Sequence, residues 1–121
     1  MRVINILYCS EYNYVVEAIQ DGQKALREKG VTSFLFRYWG KEGIESEKGD
    51  DVVPDQFDII VLDADALKDH FNSLIENLSK LRKEKTLFLT IYGTQYLHDL
   101  GFKDLGCYYE HITDEIFSFA A

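Results

Sequence analysis

Three acids stand where this chain could do chemistry: Glu11, Asp63 and Asp65. Asp63 closes the apolar run FDIIVL, Asp65 follows it, and Glu11 comes shortly after the apolar run VINILY. Carboxylates gathered without a base repel one another, and a hard cation such as Mg2+ relieves that repulsion through oxygen ligands. An Asp in such a site can also accept a phosphoryl group covalently. Each acid has a structural reading as well. Asp63 can cap a loop, Asp65 can cap a helix, and Glu11 can be a solvated loop residue. Cys9 stands between an apolar run and a helical pattern, where a thiolate can be stabilised. The first reading of a free cysteine there is a small hydrophobe, with the nucleophile as the lesser one. Thr90 and His111 close two further apolar runs, and no two of His70, His98 and His111 are spaced as metal ligands.

The elements that position these residues can be read from periodicity. FDIIVLD has no polar alternation, as expected of a strand covered on both faces of a parallel sheet. Val3 to Tyr8 predicts a first buried strand. Tyr12 to Lys29 predicts an amphipathic helix, with Ser10 as candidate N-cap and Gly30 as its αL terminator. Gly22 in its middle either weakens the helix or lets a neighbour pack close. Thr32 to Trp39 predicts a second strand. Gly40 to Gln56 is charged and glycine-punctuated, and predicts a short helix or a mobile loop. Ala66 to Lys83 predicts a helix, Thr86 to Tyr92 a fourth strand, and Tyr96 to Leu100 a short helix. Cys107 to Ile112 predicts a fifth strand, and Thr113 or Asp114 caps a last helix. This alternation predicts a single α/β domain over residues 1–121, doubly wound, with five parallel strands in the order 2-1-3-4-5. Ligands of such sheets bind at the carboxyl ends of the strands, so Asp63 is expected to stand exposed in a crevice there.

Composition narrows the function. With 21 acidic against 13 basic residues, the formal charge is −8. That disfavours a nucleic-acid or anionic-membrane surface, since phosphate neutralisation needs a basic face. The two cysteines have no CxxC spacing, and reduced thiols in the cytoplasm are the expectation. No apolar run reaches membrane-spanning length, and no signal-peptide pattern opens the chain. GxGxxG and GxxxxGK[ST] loops are both absent, which argues against a nucleotide or flavin cofactor. Tyr8, Tyr12, Tyr14, Tyr92 and Tyr96 fall at one end of the expected sheet, and aromatics are favoured in interface cores.

The stretch FDIIVLDAD resembles the central strand of response-regulator receiver domains. ILYCSEYNYVVEAI is similar to their first strand and acidic loop, FLTIYG to the fourth strand, and GFKDLGCYYEHIT to the fifth. The resemblance implies a flavodoxin-like receiver fold, with Asp63 as candidate phosphoacceptor and Thr90 and Tyr108 as switch residues. The chain departs from the pattern at the catalytic positions. The acidic pair falls on Cys9-Ser10, the Lys on His111, the Pro after it on Ile112, and Ala64-Asp65-Ala66 follow the acceptor. The acidic pair holds Mg2+ and the Lys neutralises phosphoryl oxygens. The resemblance therefore implies a pseudo-receiver, a signalling module that binds a protein partner or a second copy without phosphorylation. Tyr96, Phe102 and Tyr108 would carry the contact.

Two other resemblances lead elsewhere. Toprim domains similarly have an acid after the first strand and a DxD after a later one, which implies Mg2+-dependent phosphoryl transfer by Glu11, Asp63 and Asp65. The Gly that follows the Toprim Glu is missing. IIB components of sugar phosphotransferase systems resemble this chain in a Cys at the end of strand one, which implies a phosphocarrier acting through Cys9. Their small, hydroxyl-rich phosphate loop is here the bulky Ser10-Glu11-Tyr12-Asn13-Tyr14.

Overall fold

The structure, a computed structural model, describes residues 2–38, 43–49, 52–63, 71–91, 95–106 and 108–119, with the backbone alone for Phe71, Asn72 and Ile75. The elements run β1 (Val3–Cys9), α1 (Asn13–Glu28), β2 (Thr32–Tyr38), β3 (Ile44–Ser46), β4 (Phe57–Asp63), α2 (Phe71–Leu81), β5 (Arg82–Ile91), α3 (Gln95–Asp99), β6 (Lys103–Asp104) and α4 (Glu110–Phe119). Asp65, Cys107, Tyr92 and the expected start of the helix from Ala66 lie outside the described residues.

The chain is α/β, with a mostly parallel sheet in the order β3-β2-β1-β4-β5-β6. It has six strands where five were expected. The added strand is β3, which pairs antiparallel with β2 and comes from the charged segment expected to be a helix or loop. All other pairings are parallel. β1 and β4 are central, and from Ile59 to Asp63 every β4 side chain is buried, as its unbroken apolar run requires.

Side-chain alternation divides the core in two. Ile4, Ile6, Tyr8, Ile59, Val61, Leu89 and Ile91 pack under α1 and α4. Leu7, Cys9, Ile60, Leu62 and Phe88 pack under α2 and α3 on the other face. α1 buries Val15, Ala18, Ile19, Gly22 and Leu26, a helical stripe. It ends at Gly30, which takes φ +80° while its N–H donates to the Arg27 carbonyl at 2.9 Å. α1 and α4 lie in step. Tyr14 meets Tyr109, the Thr113 hydroxyl donates to the Ala18 carbonyl at 2.7 Å, and Gly22 faces Ile116. A Cβ on Gly22 would stand 3.0 Å from Cβ of Ile116, so of its two sequence readings close packing is the one observed.

Two expectations at the ends of elements are corrected. Of the fifth strand expected from Cys107 to Ile112, the described residues Tyr108 to Ile112 form no strand. The edge strand is the polar pair Lys103–Asp104, and α4 has begun by Glu110, so Thr113 ties α4 to α1 and caps nothing. The helix expected to run to Lys83 ends at Leu81. Arg82 already pairs with Phe57, after which Leu87 pairs with Ile59. The intervening residues bulge out, and the Thr86 hydroxyl closes the bulge by donating to the Phe57 carbonyl at 2.8 Å and accepting from the Lys83 N–H at 2.6 Å. Among the described residues no helix is long and apolar enough to cross a membrane.

Candidate functional site

The carboxyl ends of β1 and β4 meet through the pairing of Cys9 with Leu62. One residue beyond each, Ser10 and Asp63 come together. The Ser10 hydroxyl donates to Oδ2 of Asp63 at 3.1 Å, and Ser10 Oγ accepts from the Tyr12 N–H at 3.1 Å. Ser10 thus acts on the backbone ahead of α1, but the capping position itself is Tyr12, which makes no side-chain cap. The expectation of an exposed Asp63 is overturned. Its exposure is 1%, and that of Ser10 is 3%. A carboxylate buried this deeply must be hydrogen-bonded, and Ser10 supplies part of that.

The remaining sequence candidates do not converge on Asp63. Thr90 is fully buried. Its neighbours Leu89 and Ile91 point under α1 and α4, as does Val61, two residues before Asp63. Alternation therefore puts Asp63 on that face and Thr90 on the opposite one. Pairing agrees, since Thr90 lies opposite Leu62 and Asp63 opposite Ile91. His111 is exposed on α4 and stacks on Tyr108, with ring centroids 5.3 Å apart. Glu11 is exposed. Among the described residues no three His, Cys, Asp or Glu side chains are grouped to hold a metal ion, and Asp65 lies outside them. Cys9 is buried beneath the α2 face. Burial first, then the charges of Asp63 and Glu11, push its thiol up to about 11 against the opposing pull of Arg37. At neutral pH it is a thiol, a poor nucleophile.

Of the expected contact residues, Phe102 is a core residue. It is 2% exposed and its ring packs on Phe88 at 4.8 Å between centroids. Tyr96 and Tyr108 are exposed. Tyr108 precedes α4 and is not in a strand.

Two features were missed in the sequence. One is a cleft of about 330 Å³ between α1 and the β2 edge, lined by Tyr8, Ser10, Glu11, Glu17, Arg37 and Glu47 among others. The Tyr8 hydroxyl donates to Glu47 Oε1, and Arg37 also engages it. Burial and then Glu47 hold the Tyr8 phenol well above its ordinary range, so it is a fixed proton donor. Glu47 follows β3, and with that strand unforeseen nothing in the sequence placed it beside Tyr8. The other is a run of aromatic contacts across the starts of α1 and α4. Tyr12 stacks on Tyr14 at 5.4 Å, and Tyr14 meets Tyr109 at 4.3 Å. Tyr14 is 47% and Tyr108 57% exposed.

Fold and site define an α/β domain with helices on both faces of a mostly parallel sheet, whose strand-end carboxylate is sealed. Compared with protein-family models, curated proteins and solved structures, the chain finds no match.

Proposed function

We propose that this chain is a regulatory protein-interaction module on a receiver-like scaffold, cytoplasmic, and independent of phosphorylation at Asp63. The observation that carries the interaction reading is the pair of exposed tyrosines, Tyr14 and Tyr108, each backed by other rings. The sealing of Asp63, buried and hydrogen-bonded to Ser10 on the opposite face from Thr90, counts against the exposed acceptor the resemblance implied and supports only the independence from phosphorylation. Phosphoryl transfer needs an acceptor that a phosphodonor and Mg2+ can reach, and a cation nearby to neutralise the transferred group. His111, which stands where receivers have Lys, is on α4 stacked against Tyr108. The order of the parallel strands, β2-β1-β4-β5-β6, supports the flavodoxin-like reading, with β3 as an antiparallel addition at one edge.

The test is an amide NMR titration with Mg2+ and beryllofluoride, a stand-in for an acyl phosphate. Resonances of Asp63, Ser10 and Thr90 are expected to stay in place. Saturable shifts centred on them would establish a working phosphoacceptor and overturn the reading.

A further inference from the structure

We infer that the aromatic surface formed by the starts of α1 and α4 is the docking site for a basic segment of a partner protein, its Arg or Lys side chains seated on Tyr14 and Tyr108 and paired with the acids around them. This inference rests on the proposed function and names the partner's chemistry.

The geometry comes first. α1 and α4 run side by side in step, so their first turns lie together. Tyr14 and Tyr108 are among the large hydrophobic side chains left exposed, and both are backed by other rings, Tyr14 by Tyr12 and Tyr109 and Tyr108 by His111. Packed rings offer area at little further entropic cost, which is why tyrosine suits contact surfaces.

Charge then selects the occupant. From Ser10 to Gln23 and from Asp104 to Ala121 the chain contains no Lys or Arg. The same stretches expose Asp21, Asp104, Glu110 and Asp114, while Glu11 and Glu17 border the neighbouring cleft that Arg37 also lines. The first cation further along α1, Lys24, is ten residues beyond Tyr14, about 15 Å along a helix. Lys103, which flanks the second stretch, is paired with Glu115. Each helix start contributes roughly half a positive charge, and the acids outweigh it. Electron-rich ring faces inside a negative field attract guanidinium and ammonium groups. The same field repels nucleic acid, anionic lipid and a second copy of this chain, whose own formal charge is −8.

The probe is an end-blocked peptide alternating Gly and Arg, with the Gly and Glu peptide as control. Each is titrated into the full chain at about 0.15 M salt, where the Debye length is about 8 Å. Amide NMR of the Arg peptide is expected to give saturable shifts confined to residues around Tyr14, Tyr108, Glu110 and His111, with none from the control. Tyr14→Leu and Tyr108→Leu are each expected to weaken binding about two- to fivefold, the size of an exposed cation–π contact. Glu110→Gln with Asp114→Asn, which keeps side-chain shape, should weaken it and flatten its salt dependence. Shifts scattered over the acidic surface, or affinity indifferent to both Leu variants, would overturn the inference, as would no binding. Self-association through these tyrosines, read by sedimentation, would also overturn it by making a second copy the occupant. Failure here with Asp63 still silent to beryllofluoride leaves the interaction module standing and removes only the basic partner. Shifts at Asp63 and Thr90 in that other titration remove the module reading itself.

Discussion

Replacing Ser10 with Ala tests whether the strand-end carboxylate is held by that hydroxyl. The substitution removes two bonds at once, the donation to Asp63 Oδ2 and the acceptance from the Tyr12 N–H, both 3.1 Å. A hydrogen bond to a charged group contributes about 1.5–3 kcal/mol and a neutral one about 0.5–1.5. The bond to Asp63 is buried, so water cannot readily take it over, whereas the bond from Tyr12 is only part-buried, and the expected loss is about 2–3.5 kcal/mol at neutral pH. Urea unfolding followed by circular dichroism measures it. A cycle with Asp63→Asn isolates the charged part: once the carboxylate is an amide, the Ser10→Ala penalty should shrink by about 1–2 kcal/mol. A second substitution takes the same geometry in the other direction. Ser10→Asp sets two carboxylates at hydrogen-bond distance inside the protein, and should destabilise it more than Ser10→Ala. If Ser10→Ala changes stability by less than about 0.5 kcal/mol, the level of an ordinary surface substitution, Ser10 does not hold Asp63 and the sealed-site argument fails.

Gly22→Ala should destabilise the fold by up to about 2 kcal/mol, because overpacking against Ile116 costs about 1–3 and the gain in helix propensity returns about 1. Ile116→Ala takes away Cγ2 and Cδ1, two of the three atoms that a Cβ on Gly22 would crowd, so the Gly22→Ala penalty should shrink in that background, and thermal melts of the double-mutant cycle check it. Cys9 is expected to link stability to alkaline pH. Its thiol is raised from 9.0 to about 11 in the folded chain, so its contribution is fully present below about pH 9 and is lost as pH rises through about 11. The difference between urea melts on both sides of that window should shrink in a Cys9→Ala variant, the remainder coming from the Tyr8 phenol, which is also raised, and an unchanged alkaline slope would refute the linkage.

Much of the scaffold was legible because burial leaves a pattern. The apolar runs of β1, broken only by Asn5, and of β4, with the helical stripe of α1, identify elements covered on both faces and on one. The edges were not legible. β3 is Ile-Glu-Ser inside a charged, glycine-bearing stretch, and it forms because β2 offers it a partner, not because its residues favour a strand. The segment before α4 misleads in the opposite sense. CYYEHI is rich in strand formers, yet Ile112, Ile116 and Phe119 follow helical spacing, and Gly106 with φ +61° turns the chain beforehand. At the site, the sequence placed Asp63 at a strand end but could not say that Ser10 would cover it. Nor could it say that the register would send Thr90 to the other face, because both depend on how neighbouring strands align.

The two margins of the sheet bear on how anything can attach to it. As edge strands β3 has three residues and β6 two, and among the described residues they pair only with Phe36–Tyr38 of β2 and Leu89–Thr90 of β5. Short margins deny an incoming chain the ladder it needs to extend the sheet, which guards against fibril-like stacking. For the proposed interaction module, recognition would then fall to the outer helices, where fit is decided by individual side chains and can be altered one substitution at a time.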